Sequence, residues 1–206
     1  MIACMITYND MPVIKDSIRS IYDQVERIVV VDGRYKDFPG DSWLSDDGTF
    51  EYLQSLDKIT MIAGSSYLEN EKRNLYLTQI DDGQAVLVLD ADEVVVGTLC
   101  EPKADIGLVK FKADNYTKYL ATRLFIYREG FLYRGVHYVL QDKEGRPFNS
   151  HMRAEPPFTS EYIDSFYIEH RQHKRSDERK FDKKQYYRKL RIREQAYRKA
   201  CKYHIK

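Results

Sequence analysis

The sequence predicts an α/β protein built on a mostly parallel sheet, with a smaller β-rich region and a C-terminal helix. Short apolar, β-branched runs alternate with helix-period segments through the first 90 residues, and strand–helix–strand units of about 30 residues are the building block of parallel sheets. Between residues 94 and 175 the alternation stops, and strand-like runs follow one another without long helices. From Ser176 onward a single polar, basic segment carries helix signals.

Residues 2–8 (IACMITY) read as a fully buried strand, because both faces of the run are apolar. Asn9 and Asp10 follow as turn and helix cap, and Pro12 suits the first turn of a helix reaching about Asp23, with Ile14, Ile18, Ile21 and Tyr22 as its apolar stripe. Arg27 to Val31 is the second strand and stops at Asp32-Gly33. Residues 34–47 are acidic and contain Pro39, too polar for an element and long for a turn, which points to a functional or mobile loop. A short helix from Gly48-Thr49 to about Leu56, a strand at Lys58 to Ala63, a helix at Glu69 to Gln79 and a strand at Ala85 to Leu89 complete the alternation. Ile106 to Lys112, Thr122 to Tyr127 and Val136 to Leu140 read as strands of the second region, with Gly130 and Gly135 at turns. Ser176 caps the last helix, Asp177 and Glu178 fill its first turn, and Tyr186, Leu190, Tyr197 and Cys201 share one face.

A chain of 206 residues with 43% hydrophobic and 32% charged residues can bury a substantial core, which excludes disordered and fibrous classes. Three widely spaced cysteines, Cys4, Cys100 and Cys201, form neither a zinc pair nor a disulfide framework, and fit a reducing, cytoplasmic compartment. The apolar run at Ile2 lacks the charged region and cleavage site of a signal peptide, and no stretch nears the roughly 20 apolar residues of a membrane span. The net charge of +1 hides a division: residues 174–206 hold 14 Lys and Arg against 4 Asp and Glu, so the preceding chain is acidic.

Ligands of open α/β sheets bind outside the carboxyl ends of the strands. Here those positions are Thr7, Tyr8, Asn9, Asp32 and Gly33, then Asp90, Ala91, Asp92 and Glu93. So many acids would repel a nucleoside diphosphate unless a hard divalent cation intervened, and Mg²⁺ or Mn²⁺ takes oxygen ligands of this kind. An isolated Asp-x-Asp is common in solvated turns; five apolar residues directly before it place this one at a buried strand end.

In order and spacing, the segments MITYN, VVVDG, SDDGT, EKRN and LVLDADE, followed by TRLFIYREGFLYRGVHYVL, resemble the family 2 glycosyltransferases and related enzymes of the Rossmann-like GT-A fold. The resemblance covers roughly residues 1–140, with a looser echo at Ile168-Glu169-His170. It implies a single GT-A-like domain over residues 1–175, with a nucleotide-sugar-binding half (1–93) and an acceptor-side half (94–175), and a separate basic helix over 176–206. It also implies a UDP- or GDP-sugar donor, a glycan, lipid or protein acceptor, and Mn²⁺ or Mg²⁺ as cofactor. Thr7, Tyr8 and Asp32 would line the nucleoside pocket, Lys72 and Arg73 would face the nucleotide, and Asp90 and Ala91 the ribose or sugar. Asp92 would hold the metal, joined by Asp90 and by His170, since a C-terminal His completes the metal shell in related folds. Tyr138 stands where related sequences place Glu after the Val-His pair, and the Glu-Asp pair supplying the base in inverting members is not evident. Asp114 and His137 are therefore the candidate catalytic groups, beside Glu93 and the acids near Glu155.

The basic C-terminal helix has the charge of a nucleic-acid binder, but no recognition motif accompanies its tyrosines, so nucleic acid is the least favoured partner. Packing on the domain with a solvated outer face comes first, and peripheral contact with an anionic membrane second. Two rival functions stand beside the glycosyltransferase. A sugar-nucleotide nucleotidyltransferase would be expected to carry a Gly-rich loop after the first strand, which Thr7-Tyr8-Asn9-Asp10 lacks; the other rival is a non-enzymatic protein binding through the basic tail.

Overall fold

A computed structural model describes residues 1–113, 118–135, 139–148, 154, 156–171 and 175–203, side chains at 118, 194 and 196–203 excepted. The first half alternates as the sequence predicts: β1 (Ile2–Thr7), α1 (Met11–Ile21), β2 (Arg27–Asp32), α2 (Thr49–Gln54), β3 (Ile59–Ala63), α3 (Glu69–Leu77) and β4 (Ala85–Val88). Then come β5 (Glu93–Gly97), β6 (Ile106–Lys112), β7 (Lys118–Ile126), β8 (Leu132–Arg134), β9 (Val139–Gln141), β10 (Ser160–His170) and α4 (Asp177–Tyr203).

One sheet of eight strands, in the order β3-β2-β1-β4-β7-β6-β10-β5, runs through both halves, while β8 and β9 form a separate two-stranded ribbon. β1, β2, β3 and β4 are mutually parallel, β7 is antiparallel to both of its neighbours, and β6 and β10 are parallel to each other. The protein has an α/β fold, with one mostly parallel sheet through both halves and a C-terminal helix, as the sequence predicts.

The apolar runs fill both faces of the sheet, as parallel strands under helices require. Ala3, Met5, Ile28, Val30 and Leu87 pack on one face against Val13, Ile14, Ile18 and Ile21 of α1. Their alternates Cys4, Ile6, Val29, Val31 and Val86 pack on the other against Tyr76 and Leu77 of α3. Gly130 and Gly135 stand in turns, as expected, with φ of 90° and 74° that glycine adopts without strain.

β5 and β10 were not legible as strands. β10 breaks its alternation, with a register shift between Ile163 and Tyr167 that leaves Asp164 and Ser165 exposed in mid-strand. β5 is a short run whose pairing with β10 sets His170 beside Glu93. Of the strand expected at Val136 to Leu140, residues 136–138 lie outside the described residues, and the remainder opens β9. Ser176 caps α4 as expected, its Oγ accepting the Arg179 N–H at 3.1 Å, and Tyr186 and Leu190 are buried; Tyr197 and Cys201 lie outside the described side chains. Among the described residues no helix is long and apolar enough to cross a membrane.

Candidate active site

Parallel pairing of β2, β1 and β4 brings their carboxyl ends to one edge, where Thr7 is in register with Asp32. Thr7 is buried and donates its hydroxyl to Asp10 Oδ2 at 3.0 Å; the Tyr8 N–H points to the same oxygen at 3.3 Å. Asp10 therefore does not cap α1 with its side chain. Asp47 does so instead, accepting the Met11 N–H at 3.0 Å and, through its other oxygen, the Thr49 N–H at 3.0 Å. The acidic loop is thus tied to the strand ends. Its Ser45 donates backbone N–H (3.0 Å) and hydroxyl (2.5 Å) to Asp32, which is wholly buried. Burial raises the Asp32 pKa against the lowering effect of those two hydrogen bonds.

α3 sends two buried cations to the same edge. Lys72 donates to the Thr7 carbonyl (2.9 Å) and the Gly33 carbonyl (2.5 Å), with its ammonium 4.2 Å from the Tyr35 ring centre. Burial pushes its pKa down to about 7, despite Asp32, Asp10 and Glu69 nearby. Arg73 pairs with Asp90 at 2.6 Å and Glu69 at 3.1 Å. The second Asp90 oxygen faces Arg123 of β7 at 3.3 Å, and Arg123 also pairs with Glu93 at 2.5 Å. Burial opposes charge on Asp90, but Arg73 and Arg123 hold its carboxyl well below the usual range.

Asp92 lies on a different side of the cluster. Its Oδ2 accepts Arg175 Nε at 2.8 Å and lies 3.2 Å from His170 Nε2, while its buried Oδ1 has no hydrogen-bond partner among the described residues. The Arg171 N–H bonds to the Asp92 carbonyl at 2.7 Å, which fixes the end of β10 beside the triplet. Burial disfavours an ionised Asp92, but Lys183, His170 and Arg175 together hold its pKa well below the ordinary value. Arg175 bridges to Asp10 through Nη1, so one guanidinium ties the turn after β4, the turn after β1 and the start of α4 together.

α4 lies across this edge. Arg179 donates to the Tyr8 carbonyl and stacks 4.5 Å over Phe38. Tyr187 donates to Glu69, and Tyr186 packs with Tyr8, Phe38 and Leu190. Around the carboxylates Asp10, Asp32, Glu69, Asp90, Asp92 and Glu93 stand the cationic side chains Lys72, Arg73, Arg123, Arg175, Arg179 and Lys183, and burial raises the Glu93 pKa to about 7. Two cavities flank the Arg175–Arg179 pair. One of about 280 Å³ lies between the turn after β1, residues 38–40 and the first turn of α4. The other, between Asp90, Ala91, Glu69 and Lys183, holds only about 20 Å³.

The structure gathers Thr7, Tyr8, Asp32, Lys72, Arg73, Asp90, Ala91, Asp92 and His170 at one strand-end edge. It sets Asp92 and His170 side by side, whereas the Asp90 oxygens are engaged by Arg73 and Arg123. Asp114, His137 and Glu155 lie outside the described residues. Sequence reading missed Asp10, Ser45, Arg123, Arg175, Arg179 and Lys183. The last three were detectable as a four-residue spacing, Arg175-x3-Arg179-x3-Lys183, on the stripe that continues to Tyr187.

No family model matches the chain, and no curated protein matches it. Among solved structures it is similar to S. aureus TarS residues 1–349, with TM-score 0.40 and 23% identity over 55% of this chain and 36% of that one. The same protein in complex with UDP gives TM-score 0.43 and 23% identity over 56% and 37%, and its complex with UDP-GlcNAc gives 0.41 and 23% over 56% and 35%. The matched part of this chain thus spans little more than a third of those structures.

Proposed function

We propose that the protein is a glycosyltransferase that moves a sugar from a nucleotide-diphospho-sugar to an acceptor hydroxyl, with a divalent cation at Asp92. One observation carries the reading: the ends of β1, β2 and β4 gather an ionised Asp90-Ala91-Asp92 triplet, the Thr7–Asp10 turn and Asp32 on one edge of a mostly parallel sheet. That edge is where α/β sheets take nucleotides.

The donor set suits Mg²⁺ or Mn²⁺ arriving with its substrate. Asp92 offers a buried, unpartnered Oδ1, and His170 stands beside its other oxygen. Among the described residues no group of three His, Cys, Asp or Glu could hold a metal alone; Mg²⁺ sites commonly use one or two carboxylates and complete the shell with phosphate oxygens and water. When bound, the cation supplies Lewis-acid stabilisation of the departing diphosphate.

The remaining work falls to the chain. Asp90, kept ionised between Arg73 and Arg123, accepts a hydrogen bond from a ribose or sugar hydroxyl. Thr7, Tyr8, Asp32 and Lys72 border the nucleoside, and Asp32 becomes available to the base once the Ser45 loop shifts. The acceptor oxygen bonds to the anomeric carbon as the bond from that carbon to the diphosphate breaks, and the acceptor proton passes to Asp114 or His137. The basic outer face of α4, with Arg188 and Arg191 exposed, suits contact with an anionic membrane or a lipid-linked acceptor. Incubation with UDP-glucose and GDP-mannose plus Mn²⁺ tests the reading. Release of nucleoside diphosphate that stops in Asp92→Asn is expected; equal release from wild type and that variant overturns it.

A further inference from the structure

We propose that α4 carries the diphosphate-binding side of the donor site, with Arg179, Lys183 and the Tyr186 hydroxyl as the groups that hold the phosphates. The inference rests on the nucleotide-sugar reading above and names the residues that recognise the part of the donor all such sugars share.

Of the buried donors without an acceptor among the described residues, Arg179 Nε and the hydroxyl of Tyr186 belong to residues that line the cavity floored by Asp90 and Ala91. Tyr186 is only 4% exposed, so its hydroxyl has no water to turn to. Buried donors without partners are few in folded proteins, and each calls for a reason. Lys183 lines the same cavity and acts through space on Asp90 and Asp92. Burial and the neighbouring Glu69 keep the Tyr186 hydroxyl protonated, hence a donor. Three donors, two of them cationic, converge on one space, and the complementary ligand offers only acceptors and carries negative charge. A diphosphate does both.

Charge balance separates this role from that of a plug. Arg175 and Arg179 face Asp10, Arg175 also pairs with Asp92, and Lys183 acts on Asp90 and Asp92, so this segment supplies much of the positive charge around the strand-end carboxylates. A site that binds its donor with α4 swung fully away would present surplus negative charge to a phosphate. With α4 in place, the two charges of a divalent cation offset those of the diphosphate. The present cavity has room for about one water, so α4 moves outward by enough to admit the phosphates and keeps its cations on them.

The test is isothermal titration of the full chain in Mn²⁺ with UDP and GDP, and with uridine and guanosine as phosphate-free controls. Lys183→Ala and Arg179→Gln are expected to weaken nucleoside diphosphate binding about 10- to 100-fold and to leave nucleoside binding unchanged. Tyr186→Phe, which preserves the packing, is expected to weaken it several-fold. Lys183 is half-buried and outside the aromatic core, so Lys183→Ala keeps the test valid if Arg179→Gln misfolds. Diphosphate affinity equal to wild type in Lys183→Ala overturns the proposal, and tighter affinity makes α4 a plug instead. Wild type that binds neither diphosphate overturns the donor reading itself, and this inference with it.

Discussion

Replacing Arg175 with Met should expose how closely the C-terminal segment is tied to the acidic strand ends. The guanidinium is 5% exposed and pairs with carboxylates that are 3% and 1% exposed, those of Asp10 and Asp92. Removing one partner of a buried charge network costs about 3–5 kcal/mol, because the other charge stays buried. Asp10 keeps its bonds from Thr7 and Tyr8, and Asp92 keeps His170. The loss should therefore fall near the lower bound, about 3 kcal/mol, or about 6–12 °C of melting temperature for a chain of this length. Urea unfolding at pH 7 measures it. Mn²⁺ at millimolar concentration should return part of the loss, because the substitution removes the cation beside Asp92 and adds its Oδ2 to the Oδ1 already open to a metal. A loss below about 1 kcal/mol, or a variant indifferent to Mn²⁺, would refute the reasoning.

Three further outcomes follow from the geometry. Lys72 has its pKa lowered by burial, so between about pH 7 and 10 the unfolded chain holds a proton that the folded chain lacks, and stability rises with pH through that window. Lys72→Met should remove that slope, so the difference between wild type and variant changes by more than about 1 kcal/mol from pH 7 to 9 in urea titrations; parallel curves would contradict it. Gly64→Ala would set a Cβ 2.3 Å from Val31 Cγ1 and 3.3 Å from Leu75 Cδ1, and should cost about 1–3 kcal/mol by the same assay. Asp47→Ala uncaps α1 and should cost about 1 kcal/mol, whereas Asp10→Asn should spare the cap.

The parallel half of the sheet was legible because its signals are local. IACMITY, RIVVV and AVLVL are apolar on both faces, and Pro12 and the Ile spacing mark α1. The triplet was legible for the same reason, since a strand that ends in acids can be read without knowing its neighbours. β10 was not, because its bulge scrambles the alternation, and its pairing with β5 joins residues as far apart as Glu93 and His170. The ionic cluster was hidden by distance too. Arg175 meets Asp10 across 165 positions, and Arg179 meets Tyr8 across 171. On the sequence alone those arginines read as a solvated helix face. Only the topology shows that α4 returns to the strand ends, where its basic side chains offset acids gathered from the first 93 residues.

Thermal melting of wild type and Asp92→Asn with UDP or GDP, each with and without Mn²⁺, tests the central claim most directly. A nucleotide-sugar transferase with its cation at Asp92 is stabilised only when nucleoside diphosphate and metal are both present, and Asp92→Asn loses that joint effect, read as the shift the ligands add to the variant's own lowered, metal-free melting temperature. Stabilisation by an oligonucleotide alone, or by nucleoside diphosphate to the same extent with and without Mn²⁺, would contradict it.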